Sequence, residues 1–268
     1  MTMLAADLDL RQFAVLGLVQ EASRLALGYF RKSDSLGITM KGAQDWLTVA
    51  DGKVEEFLRR RLSALFPNDS VIGEEGGGKP SDAVWIIDPI DGTANFAHGD
   101  RNWCISIGLL LNGVPEIGIV CAPALDEIYV GRRGRGATLN GEPLRVSGQA
   151  DIARSCIEIG WSTRISHADY LATVQGTLAA GASIRRVGSG TLGICHVAAG
   201  RTDGYAERHI NAWDVAAAMA IAAEAGADLN DFFAGDGIRS GNPILCCTPE
   251  LSAELERITG IICRRRGD

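Results

Sequence analysis

Trp85-Ile86-Ile87-Asp88-Pro89-Ile90-Asp91-Gly92-Thr93 is the stretch from which the rest of the chain can be read. The apolar run over residues 83–87 predicts a buried strand, and it ends in two carboxylates three residues apart with a proline between them. Proline cannot donate to a β-ladder, so the chain is expected to leave the strand and turn at Pro89. With Gly92 freeing the next step, Asp88 and Asp91 can converge on one point. The amides of Gly92, Thr93 and Ala94 are then left at a helix start. Such a turn offers oxygen ligands to a hard cation beside donors for an anion. The same residues also suit a capped turn after a core strand, and other acids in the chain decide between the two readings.

The chain has 268 residues, 46% of them apolar, which suffices for a large core in one domain or two packed subdomains. Its seven cysteines sit in apolar segments with no C-x-x-C pair, as reduced core thiols of a cytoplasmic protein would, and they imply no zinc site. Residues 1–11 carry Asp7, Asp9 and Arg11 in place of a basic flank and an apolar run, and no later apolar stretch is long enough to span a bilayer. A protein that is neither secreted nor embedded in a membrane is expected. The formal net charge of −7 argues against nonspecific nucleic-acid binding, which needs a basic surface. The basic cluster Arg264-Arg265-Arg266 reads as a solvated tail.

Apolar residues at Phe13, Leu16, Val19, Ala22, Leu25, Ala26 and Tyr29 predict an amphipathic helix over residues 9–30. Residues 31–50 read as a loop or short hairpin around residues 39–41. Asp51 precedes a second helical pattern that Pro67 closes, and by position it is an N-cap. Val71-Ile72-Gly73 is a short strand breaking at Glu74-Glu75 into three glycines. Adjacent side chains on an extended backbone point opposite ways, so only one of the two acids, Glu74, should face an ion. Residues 103–111, 114–121 and 127–132 form an antiparallel meander, with Asn112-Gly113 as a type I′ hairpin signal and Asn140-Gly141 as a further turn.

Past a soft boundary at residues 147–155, strands and helices alternate, which argues for a second sheet covered by helices. This divides the chain into an N-terminal α+β subdomain, 1–150, and a C-terminal α/β subdomain, 151–268. Trp213-Asp214 opens an alanine-rich helix whose small side chains suit close packing on a sheet, and Asp214 is again an N-cap by position. Glu207 follows a strand at residues 203–206 and reads in isolation as an exposed loop acid.

Gly73-Glu74-Glu75, Asp88-Pro89-Ile90-Asp91-Gly92-Thr93 and Trp213-Asp214, in that order and with Glu224-Ala225-Gly226 closing the last helix, resemble the signature of the inositol monophosphatase family. The likeness runs from Lys41 through Asp51 to Gly226. It implies a five-layered αβαβα sandwich, two sheets with three helical layers. It also implies Mg²⁺-dependent hydrolysis of a small phosphate monoester, most often of a cyclic polyol or sugar, with two to three Mg²⁺ ions, sensitivity to Li⁺ and a homodimer.

By the same resemblance, Glu74, Asp88 and the carbonyl of Ile90 hold a first ion, and Asp88, Asp91 and Asp214 a second. Glu75 acts beyond these ligands or on the waters of a third ion. Asp51 and Thr93 orient and deprotonate the attacking water, with Glu74 assisting, and the amides of Gly92 and Thr93 grasp the phosphate. Glu207, Asp91 and Gly190 meet the alcohol portion, and Lys41 lies on a loop that closes over the ions. Trp161 stands where small polar residues are usual, and either narrows the pocket, stacks on a sugar or packs in the core. Arg208, His209 and Asn211 surround Glu207 as candidate contacts for a polar leaving group. Histidinol phosphate is an alternative substrate for the same machinery, and a non-catalytic regulatory role on the same fold is an alternative of another class.

Overall fold

The computed structural model describes residues 5–31, 39–42 and 45–264, with the backbone alone over 39–42 and 45–47. In chain order its first half contains α1 (Ala5–Phe30), β1 (Thr39–Gly42), β2 (Asp45–Leu47), α2 (Val49–Leu65), β3 (Ser70–Gly73), β4 (Ala83–Asp91), α3 (Thr93–Ala97), β5 (Cys104–Leu111), β6 (Val114–Ala122), β7 (Glu127–Arg132), β8 (Gly136–Leu139) and β9 (Glu142–Pro143). The second half contains β10 (Cys156–Ile159), α4 (His167–Ala179), β11 (Ser183–Arg185), α5 (Gly190–Ala198), β12 (Gly204–Ile210), α6 (Ala212–Ala225), β13 (Asp228–Asn230), α7 (Gly237–Ser240), β14 (Asn242–Cys247), α8 (Ser252–Thr259) and β15 (Cys263–Arg264).

Strands β3 to β9 form a seven-stranded sheet in sequence order, parallel between β3 and β4 and antiparallel thereafter. The other large sheet has the order β11-β10-β12-β14-β13-β15, with β10 parallel to both its neighbours. Helices α1 and α2 cover the outer face of the first sheet, α5 and α6 fill the space between the sheets, and α4 and α8 cover the outer face of the second. The result is the expected αβαβα sandwich. Alternation in β4 shows why its sequence is a continuous apolar run: Trp85 and Ile87 face α1 and α2, while Val84 and Ile86 face the middle layer.

The middle layer depends on a row of three glycines. Gly108, Gly118 and Gly131 lie opposite one another across β5, β6 and β7. A Cβ on Gly118 would collide with the carbonyl oxygen of Ala217, and one on Gly131 would stand 2.5 Å from Cα of Ile221. The bare strip lets the alanine-rich helix α6 lie directly on the sheet, and Asp214 sits in its first turn.

Several expectations change. In α1 the buried line is Val15, Leu18, Val19, Ala22 and Ala26, whereas Phe13 is 78% exposed, so the helix is rotated relative to the face read from sequence. Strand β4 does not end before Pro89. It runs on to Asp91 through a bulge, in which Asp88 opposes Ser106 and Asp91 opposes Cys104, and the bulge absorbs the donor that proline lacks. Strand β12 extends past residue 206 to Ile210, which places Glu207 inside the sheet, buried rather than in an exposed loop. Arg264 is no free tail: it ends β15 and pairs with Asp231. Arg265, Arg266 and the side chain of Lys41 lie outside the described residues. Residues 39–42 and 45–47 pair antiparallel as β1 and β2, as the hairpin reading expected. Among the described residues no helix is long and apolar enough to cross a membrane.

Candidate active site

The bulge in β4 sets two carboxylates at the carboxyl end of the strand. Oδ1 of Asp88 accepts the amide of Ile90 at 2.9 Å, while its Oδ2 is buried and has no hydrogen-bond partner. Oδ2 of Asp91 accepts the Ser189 hydroxyl at 2.5 Å and the Thr191 amide at 2.8 Å, which locks its orientation from the start of α5. Gly92 follows with φ of +89°, and a side chain there would press on the carbonyl of Asn102, so both conformation and space select glycine. Thr93 then opens α3. Asn95 in that helix donates to the carbonyls of Asn102 and Val187, tying the two halves of the chain together at the site.

Asp51 and Asp214 arrive by a shared device that differs from the expected N-caps. The caps are Thr48 and Asn211, and each aspartate is the third helical residue, whose side chain reaches back to the cap's amide. In Asp51 that work falls to Oδ2, at 2.8 Å from the Thr48 amide, and leaves Oδ1 to accept the Thr93 hydroxyl at 3.1 Å. In Asp214, Oδ2 accepts the Asn211 amide at 3.1 Å. A capping acid projects into the helix's own N-terminal turn, so local backbone geometry aims both carboxylates.

Glu74 lines the cavity with Asp91 and Asp214 and the charge of Glu75 acts on Asp51, but strand alternation is not the cause: β3 ends at Gly73, and both acids lie in the turn that follows. A residue that sequence reasoning missed holds this loop. Buried Glu55 of α2 accepts the amides of Glu75 and Gly76, and Arg59 braces it while donating to the carbonyls of Val71 and Gly77. The i,i+4 spacing of Glu55 and Arg59 was the available signal.

One oxygen each from Asp88, Asp91 and Asp214 lie within 4.8 Å of one another. Burial raises all three carboxyls above the usual aspartate value. At Asp88 the neighbouring charges of Glu74, Asp91 and Asp214 raise it further, and at Asp91 the Ser189 and Thr191 bonds offset part of the rise. Asp51 is also raised by burial, against the pull of its Thr48 and Thr93 bonds. Three crowded acids with an orphaned buried oxygen fit a cation: a positive ion would partner Asp88 Oδ2 and remove the mutual repulsion. An all-oxygen donor set is what a hard divalent ion takes.

Asp91 and Asp214 of the cluster, with Glu74, line a cavity of about 560 Å³. Along it lie Gly190, Glu207, Trp161, His209 and Asn211. Gly190 makes room there, since a Cβ would stand 2.5 Å from Ile210. Glu207 accepts the Tyr205 hydroxyl at 2.6 Å, and burial pushes its carboxyl up to about 7, with Tyr205, Arg186 and Arg164 pulling the other way. Trp161 faces the cavity but is itself stacked on His167 and edge-on to Tyr170. Arg208 does not join Glu207: it points to the other face of the sheet and donates to Thr173. Arg164 and Arg186 occupy the cavity wall instead, and nothing in their local sequence marked them.

Residues 7–262 match the sequence model of the inositol monophosphatase family. An inositol-1-monophosphatase of Rhizobium meliloti is 36% identical over 234 residues, which cover 85% of this chain and 88% of the relative. A protein of Pasteurella multocida named Nus factor SuhB is 35% identical over 237 residues, covering 86% of this chain and 88% of the relative. The crystal structure of the extragenic suppressor protein suhB from Bartonella henselae superposes with a TM-score of 0.85 at 29% identity, covering 95% of this chain and 98% of that one. With acids, bulge and sandwich in place, the chain belongs to the inositol monophosphatase family.

Proposed function

We propose that this chain hydrolyses a small phosphate monoester, myo-inositol monophosphate or a related polyol or sugar phosphate, with Mg²⁺ and by direct attack of water. The observation that carries the reading is that three carboxylates meet within 4.8 Å, and two of them, Asp91 and Asp214, line with Thr93, the partner of Asp51, a cavity large enough for the whole ester. A phosphomonoester is an anion, so the carboxylates alone would repel it.

Glu74, Asp88 and the Ile90 carbonyl would hold one ion and Asp88, Asp91 and Asp214 another, with Glu75 beyond them. When bound, Mg²⁺ supplies the reversal of charge, a more acidic water and a clamp on the phosphoryl oxygens. Thr93 has one hydroxyl proton and two acceptors, Asp51 Oδ1 at 3.1 Å and the Ile90 carbonyl at 2.9 Å. Donating to Asp51 releases the Ile90 carbonyl for other use. In that state Oγ1 takes a proton from the attacking water as its own passes to Asp51, whose burial raises its affinity for that proton. The amides of Gly92 and Thr93 orient the phosphate. Asp91, Gly190 and Glu207 line the space for the alcohol portion, with Glu207 accepting its hydroxyls.

The test is release of phosphate from myo-inositol 1-phosphate, with Mg²⁺ and with a chelator. Turnover should vanish on chelation and fall by orders of magnitude in Asp91→Asn; turnover indifferent to both would overturn the reading. Relatives named Nus factor SuhB favour a second reading, a regulatory binding role on the same fold. A partner retained by Asp91→Asn after turnover is lost would support it. We also expect a homodimer, which light scattering would reveal.

A further inference from the structure

Beyond the cluster of acids, the cavity wall carries two arginines with no assigned work. Strands β11, β10 and β12 are neighbours and run parallel, with Glu158 opposite both Arg185 and Tyr205. Their carboxyl ends therefore open side by side. Arg186 follows the last residue of β11, Arg164 lies in the loop after β10, and Glu207 lies on β12; all three line the cavity that Asp91 and Asp214 also line.

We propose that Arg164 and Arg186 form a second anion subsite, which receives a negatively charged group on the alcohol portion of the substrate, so that the preferred ester carries a second phosphate or a carboxylate. This rests on the phosphatase reading above and narrows its substrate class. Arg59 and Arg201 are each held by a glutamate, whereas among the described residues neither Arg164 nor Arg186 makes a side-chain hydrogen bond or ion pair. The acid nearest to them in function, Glu207, is engaged by the Tyr205 hydroxyl, and both arginines act on it through space alone.

An uncharged polyol accepts guanidinium hydrogen bonds through its hydroxyls but has no use for two full positive charges. Phosphate and carboxylate do, because the planar fork of arginine matches their paired oxygens. On a chain of net charge −7, two exposed cations at the cavity also favour the approach of an ester with a charged tail over one with a neutral tail. The competing account is that the arginines serve only to keep Glu207 ionised. It predicts equal loss for every ester, and so can be told apart.

The experiment compares kcat/KM of the full chain with Mg²⁺ for myo-inositol 1-phosphate, fructose 1,6-bisphosphate and 2-phosphoglycerate. The expected result is an advantage of about tenfold or more for a charged-tail ester, shrinking as salt is added. Whichever of the two charged esters gains names the group as phosphate or carboxylate. Arg186→Ala and Arg164→Ala should each lower that advantage by roughly tenfold, with Arg186→Lys recovering part of it. Equal rates for charged and uncharged tails, or a ratio unchanged in both alanine variants, would overturn the subsite. Were no ester hydrolysed, the phosphatase reading would fall. Calorimetry would then decide the subsite by whether fructose 1,6-bisphosphate binds more tightly than inositol 1-phosphate, and whether Arg186→Ala removes the difference.

Discussion

The Thr93 hydroxyl lies 3.1 Å from Oδ1 of Asp51, a residue 42 positions away whose other oxygen caps its own helix. One carboxylate thus joins helix capping to the hydroxyl at the head of α3. Removing either member should lower kcat by roughly 100- to 10,000-fold with little change in KM. The double variant Asp51→Asn/Thr93→Ala should be scarcely worse than the single ones, because the pair acts as a unit. Steady-state kinetics of the three variants checks this. Asp51→Asn should also cost about 1 kcal/mol of stability through the weakened capping box, a loss that Thr93→Ala does not share.

Crowding of the acids predicts the pH dependence of the metal-free protein. Burial, chiefly, holds the carboxyls of Asp88, Asp91 and Asp214 above their ordinary value of 3.8. Below that value both folded and unfolded chains are protonated and the raised pKa costs nothing. As pH rises, the unfolded chain gives up its protons first; the folded state then binds more protons, and stability falls. In chelator the melting temperature should therefore drop as pH rises above the ordinary carboxyl value of 3.8, and Mg²⁺ should restore more at the higher pH. Asp88→Asn should flatten the slope. A melting temperature that climbs with pH would contradict the crowding.

Parts of this arrangement can be read from residue order alone. The β4 run with its two aspartates, and the acids set just inside the two helix starts, carry their geometry locally: strand alternation, a bulge at proline and a capping turn each act over a few residues. What escaped reading depends on register between distant segments. Gly108, Gly118 and Gly131 become one strip only when β5, β6 and β7 are paired. Arg164 and Arg186 come to line one cavity only because β10 and β11 run parallel as neighbours. Glu207 looked like a loop acid because Arg208 and His209 continue the strand with polar residues, yet pairing with β14 carries β12 on to Ile210.

Glu207 supplies a titration near neutrality that bears on binding. Burial puts its carboxyl at about 7, with the Tyr205 hydroxyl holding it down. Below that value it is neutral and a poorer acceptor, so KM for a polyol ester should fall as pH rises through about 7, with kcat less affected. Glu207→Gln should abolish the trend. Tyr205→Phe removes a bond to the ionised form and should shift the midpoint upward, whereas a purely structural tyrosine would leave it in place. Initial rates across pH at several substrate concentrations separate these outcomes.

Gly118 tests whether the site depends on how closely α6 approaches the sheet. A methyl group there collides with the backbone oxygen of Ala217, which no side-chain rotation can relieve, so the helix must move or the strand must bend. The expected cost of Gly118→Ala is about 3 kcal/mol, well above that at a glycine with open space around it such as Gly113, whose own left-handed φ of +79° makes Gly113→Ala a turn-strain control. Asp214 rides on the first turn of the same helix, so the displacement should reach the carboxylate cluster as well. At a temperature where the variant remains folded, Mg²⁺ should raise its melting temperature less than it raises that of the parent chain. A variant that is destabilised yet gains as much from Mg²⁺ would show that the acids are positioned by the capping turn alone, and that the glycine strip serves only the core.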